Sequence, residues 1–118
     1  LLQVSERKTE RSGVEFHANI MQLDNGVLLI LYEGSARLGT LAFAMPGAGE
    51  LQAARSSILV GAKYMVAARA LAERGAARFG KMCLASVYTT LDEPEAFRIF
   101  AKLLDGDVET KQRSQTES

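Results

Sequence analysis

This chain of 118 residues has no tryptophan, one cysteine, one histidine and no net charge. Its one cysteine, Cys83, excludes an internal disulfide and a cysteine-rich zinc site. The thiol lies in the apolar run MCLASVY, where a cysteine acts as a small buried hydrophobe. A reducing intracellular compartment fits that usage. The one histidine, His17, sits in a strand-like stretch with no second histidine and no cysteine nearby. A serine or cysteine nucleophile would need that imidazole as its base and a carboxylate to orient it. A half-exposed or interfacial strand histidine is the reading the stretch favours, so no catalytic residue is expected. One imidazole and scattered carboxylates are likewise no metal site. Lys plus Arg and Asp plus Glu number 14 each, so the chain has no basic surplus with which to grip nucleic acid or an anionic membrane. Its apolar runs all fall short of the roughly 18 residues of a membrane span.

What is present is the composition of an ordinary globular protein, with 47% apolar and 24% charged residues. A chain of this length forms one domain that buries about two-thirds of its unfolded surface. Leu1 to Thr9 alternates loosely and predicts a first strand, with Arg11-Ser12-Gly13 as the turn. Val14 to Leu23 predicts a second, because Val14, Phe16, Ala18 and Ile20 share one face. Asn25-Gly26 is the dipeptide of a type I′ hairpin, and Val27 to Tyr32 the return strand. After a connection over Gly34 to Gly39, Leu41, Phe43 and Met45 alternate with Thr40, Ala42 and Ala44. The small residues at 42 and 44 would let a helix approach closely.

PGAGELQAARSS interrupts the pattern and predicts a loop. From about Val60 the period becomes helical, with Tyr64, Ala67, Ala68 and Leu71 on one side and Gly75 as a stop. Lys81 to Thr89 predicts another strand. DEPEAFRIFAKLLDG then carries a complete set of helix signals: Asp92 as N-cap, Pro94 in the first turn, Glu95 three residues on, and Gly106 to end it. Residues 107–118 are polar and are expected to form a disordered tail. The whole predicts a single domain over residues 1–106. Its class is α+β, an antiparallel sheet core of five to six strands, sandwich-like, flanked by two α-helices.

Three motifs offer chemistry and do not deliver it. GSARLGT superficially resembles a phosphate-binding loop, but it lacks the lysine before the threonine and leads into a strand. Asp92, Glu93 and Glu95 are explained by helix capping and the macrodipole. Arg69, Arg74 and Arg78 suit a solvated helix face and lack the interleaved aromatics of a nucleic-acid platform.

The hairpin raises a different question. With Asn25-Gly26 as its turn, Ile20 would lie opposite Leu31 and Met21 opposite Ile30. One face then carries Phe16, Ala18, Ile20, Leu29 and Leu31, which two amphipathic helices can cover. The other carries His17, Asn19, Met21, Leu23, Leu28, Ile30 and Tyr32. That second face is apolar enough to prefer burial and polar enough to meet a partner. Two readings stand open: a docking interface using His17, Asn19, Met21, Leu28, Ile30 and Tyr32, or a sheet that curls and buries this face in its own core.

The run VEFHANIMQLDNGVLLILYEGSARLGTLAFAM resembles the central hairpins of the proteasome assembly chaperone 4 family. There a strand with a mid-strand histidine turns into a hydrophobic strand, then into a strand ending near LAFAM. AARALAERGAARFGKMCLASVYTTLDEPEAFRIFAKLL is similar to the family's ending, a helix, a strand and a short polar link to the last helix. The likeness covers Leu1 to Leu104 and lies in order and spacing rather than in one motif. It implies a non-enzymatic chaperone that forms dimers, pairs with an assembly chaperone 3 relative and binds proteasome α-type subunits, in the cytoplasm or also the nucleus. It implies no nucleotide, metal or cofactor, and no residue contacting the α-ring is carried over from it. Two other functions suit the same residues. One is a dimeric interaction scaffold of the roadblock or profilin kind, for which a roadblock-like sheet would carry helices on both faces. The other is a small hydrolase or ligand-binding domain using His17.

Overall fold

The computed structural model describes residues 2–47, 55–61, 63–106 and 109–115. Period-two patterning makes the first half of the chain strands: β1 (Leu2–Arg11), β2 (Val14–Gln22), β3 (Gly26–Glu33), β4 (Thr40–Met45) and β5 (Arg55–Val60). Helix α1 (Met65–Phe79) leads into β6 (Met82–Tyr88), and α2 (Glu93–Asp105) is followed by β7 (Glu109–Gln115). The strands form one sheet in the order β5-β4-β6-β3-β2-β1-β7.

The α+β class is the one the sequence predicts, and most strand pairs are antiparallel. One pair is not: β6 lies parallel to β3, between β3 and β4. The connection over residues 34–39 therefore does not close a hairpin. It carries the chain past the place that β6 fills later, after the crossover through α1. Ser12 and Gly13 turn β1 into β2 with φ of 54° and 80°, as a tight hairpin turn demands.

The next hairpin differs from its prediction. Ile20 pairs with Leu29 and Met21 with Leu28, a register two residues from that of an Asn25-Gly26 turn. Gly26 belongs to β3, where a Cβ would sit 3.1 Å from Met82 Cγ. The turn is centred on Asp24 and Asn25. The Leu23 N–H donates to the Gly26 carbonyl at 2.8 Å, and the Leu23 carbonyl accepts from Lys81 Nζ at 2.7 Å. Contacts with the start of β6 thus override the local dipeptide rule. A slip of two residues preserves the faces, whereas a slip of one would have exchanged them.

Helix α2 has the termini its sequence predicts. Asp92 Oδ1 accepts from the Glu95 N–H at 3.0 Å, and Gly106 ends the helix at φ 84°. Helix α1 starts later than predicted, because Val60 is still in β5, and Gly75 does not stop it. Gly75 is buried mid-helix, and Gly80, at φ 67°, is the residue that ends α1. The predicted loop gives way to β5 from Arg55 onward, while residues 48–54 lie outside the described ones. Residues 109–115, expected to be disordered, pair as β7 with β1, from Leu2 opposite Gln115 to Lys8 opposite Glu109. Edge pairing is a backbone interaction and needs no apolar side chains, so composition gave no signal of it.

The core lies between the sheet and the two helices, so the layers are helix on sheet rather than sheet on sheet. Phe16, Ile20, Leu29, Leu31, Leu71, Ile99, Phe100, Leu103 and Leu104 are at most 2% exposed. Each such side chain contributes about 1.5–3 kcal/mol relative to exposure. Phe16 and Phe100 meet edge to face, with centroids 6.1 Å apart and planes at 73°. Small residues seat α1: Ala42 and Ala44 of β4, Ala85 of β6, and Ala68, Ala72 and Ala76 of the helix are fully buried. At the far edge, Arg7 Nη1 donates to the carbonyls of Leu103 and Leu104 at 2.8 and 2.6 Å, satisfying the end of α2.

Candidate functional site

Strand side chains alternate between faces, so the pairing register places every residue of the sheet. Phe16, Ala18, Ile20, Leu29, Leu31, Ala42, Ala44, Cys83, Ala85 and Val87 all point toward the helices and belong to the core. The alternate residues point away. Among the described residues, α1 and α2 both pack on the first face. The second is open.

Three rows of side chains cross that open face. Lys8, His17, Tyr32 and Tyr88 are successive partners from β1 to β6. The next row is Glu6, Asn19, Ile30, Ser86 and Leu41, and the third is Val4, Met21, Leu28, Leu84 and Phe43. All six residues that the sequence singled out are on this face, in three adjacent pairs: His17 with Tyr32, Asn19 with Ile30, Met21 with Leu28. Each is partly buried. Leu28, Leu84, Leu41 and Phe43 are also partly buried, shielded at the sides by one another, and none is in the core cluster.

The third row is apolar from end to end. The first is aromatic and polar. The His17 and Tyr32 rings stack 4.8 Å apart with planes at 13°, and His17 Nε2 lies 3.1 Å from Glu15 Oε1. Glu15 also approaches Lys8 Nζ at 4.0 Å. At the other end of the row, Arg37 lies over the Tyr88 ring, 5.2 Å from its centroid, with Nη1 3.4 Å from the phenol oxygen. Ser86, in the middle row, is 1% exposed, and its hydroxyl accepts from the Gly39 N–H at 2.9 Å. Gly39 is required there, since a Cβ would meet the Val87 carbonyl oxygen at 2.0 Å.

Sequence reasoning confined the face to the β2–β3 hairpin and missed its β6 and β4 half: Leu84, Ser86, Tyr88, Leu41 and Phe43. The alternation of Leu41 and Phe43 with Ala42 and Ala44 was the available signal. Strand order was the missing information, because nothing local says that β6 inserts beside β3. The same order brings Arg37 to the rim, out of a segment considered only as a nucleotide loop.

Chemistry elsewhere is structural. Cys83 faces the core, and burial pushes its thiol up to about 12. At the end of β3, Glu33 accepts from Thr89 Oγ1 at 2.6 Å and from the Thr90 N–H at 2.8 Å. Desolvation raises its carboxyl, but these bonds outweigh it and hold the group below its ordinary value. Among the described residues, no three of His, Cys, Asp and Glu gather as a metal site, and no helix is long and apolar enough to cross a membrane.

No family model matches this sequence, and no curated protein matches it.

Proposed function

We propose that the protein is a non-enzymatic assembly chaperone for the 20S proteasome α-ring. It acts as a dimer with an assembly chaperone 3 relative and binds α-type subunits by docking through the open sheet face. The observation that carries this reading is a sheet with both described helices on one side and apolar rows on the other. Contiguous, partly exposed apolar rows with no described helix over them suit an interaction site on a globular protein. The resemblance in motif order supplies the identity of the partners, and the cytoplasm or nucleus follows as the place of action. A roadblock-like scaffold would place helices on both faces, so the one-sided helix layer favours the chaperone reading over that alternative.

Coexpression with an assembly chaperone 3-like subunit, followed by capture on free α-type subunits, tests the proposal. A stable heterodimer that retains α-subunits is expected. Absence of a heterodimer together with failure to hold any α-subunit overturns it.

A further inference from the structure

The connection between β3 and β4 holds a cation, Arg37, to which no described residue supplies a counter-ion. Arg37 is exposed, and its guanidinium rests over the Tyr88 ring at the rim of the open face. Lys8 pairs with Glu15 and Arg74 with Asp105, His17 Nε2 meets Glu15 Oε1, and no described carboxylate forms such a pair with Arg37. The two ends of the aromatic row therefore differ. At the β1 end Glu15 lies against Lys8 and His17, and at the β6 end no described carboxylate pairs with Arg37. Leu38, next to Arg37, is 68% exposed.

An arginine held on an aromatic ring keeps its fork of donors pointing outward and loses little freedom on meeting a carboxylate. Arginine and tyrosine beside apolar surface are also the residue types that dominate binding at protein interfaces. We infer that Arg37, positioned by Tyr88, is the charge-selecting element of the docking face. The occupant is a segment of a different protein chain that lays apolar side chains across Ile30, Leu28 and Leu84 and carries a carboxylate at the Arg37 end. The inference rests on the docking reading above, and it adds the chemistry and the orientation of the partner. Because the β1 end is already neutralised by Glu15, a reversed partner would bring its carboxylate to a satisfied site. Arg37 thus fixes which way round the partner sits.

The test uses the complex with the assembly chaperone 3-like subunit, with affinity measured at low and at high salt. Arg37→Glu is expected to weaken the complex by about tenfold or more and to flatten its salt dependence, with thermal unfolding of the free chain unchanged. Arg37→Lys, which keeps charge but not the planar fork, falls between. Tyr88→Leu reproduces most of the loss, and Tyr88→Phe, which keeps the ring, loses less. Ile30→Asp is the control on the docking reading. If Ile30→Asp abolishes the complex while Arg37→Glu binds with wild-type affinity and salt dependence, this inference is wrong and the docking face stands. If neither variant has an effect, or if no heterodimer forms and no α-type subunit is held, both fall. A chain that self-associates through this face without a partner, and stops doing so with Arg37→Glu, makes a second copy the occupant and overturns the assignment to a different chain.

Discussion

Gly75 sets the distance between the helix layer and the sheet. A Cβ there would lie 2.8 Å from both Cys83 Sγ and Leu29 Cδ1, closer than real side chains approach. Elsewhere in a helix, replacing glycine by alanine gains about 1 kcal/mol through propensity. Here overpacking costs about 1–3 kcal/mol, so the clash wins or cancels the gain. Gly75→Ala is expected to lower stability by about 1 kcal/mol in urea unfolding, against the propensity scale. Adding Cys83→Ala removes the sulfur and should return part of the loss. A stabilised single variant would mean that the helix moves away at no cost. The same residue explains a misreading of the sequence. A glycine late in a helical pattern reads locally as a stop, and only Cys83 and Leu29, brought in by the fold, show that it is a contact.

The two helices contrast in how their ends are secured, and so in how legible they are. Helix α2 is capped from within its own sequence, and every signal for it was readable: Asp92, Pro94, Glu95 and Gly106. Helix α1 begins at Tyr64, a non-glycine residue at φ 60°, with no side-chain cap and no acid in its first turn. Its orphan donors are met from outside. Glu93 of α2 accepts from the Ala67 N–H at 2.8 Å, and Tyr64 donates its hydroxyl to the Leu91 carbonyl at 2.6 Å. A carboxylate at a helix N-terminus is favourable whichever element carries it. No local rule finds a cap 26 residues away, which is why the start of α1 was misplaced. Glu93→Ala is expected to cost about 1 kcal/mol, felt as faster hydrogen exchange in the first turn of α1. Asp92→Ala should instead release the Glu95 amide in α2. Unchanged exchange at Ala67 in the Glu93 variant would show that the bond carries no weight.

At the scale of the molecule, one sheet has a structural side and a side left over. Neighbouring residues of β3 show the division. Leu29 is fully buried under the helices, and Ile30 is partly buried on the open face between Asn19 and Ser86. A curled sheet would bury both, and a sheet covered on both faces would make them equivalent. The faces were legible from alternation in the β2–β3 hairpin, and they survived an error of two residues in register. What alternation left open was whether anything covers the second face. Leu29→Ala is expected to cost about 2–5 kcal/mol as a core cavity, and Ile30→Ala less than about 1 kcal/mol. Ile30→Asp should leave a folded monomer with native-like circular dichroism, because solvent reaches the carboxylate in the free chain. In the assembled state the same carboxylate would be buried without a partner, at a cost of several kcal/mol. Sedimentation should therefore show that Ile30→Asp has lost association while its urea midpoint stays near wild type. Equal losses of stability at 29 and 30 would mean that the second face is part of the core after all, and an Ile30→Asp chain that still associates would move the interface elsewhere.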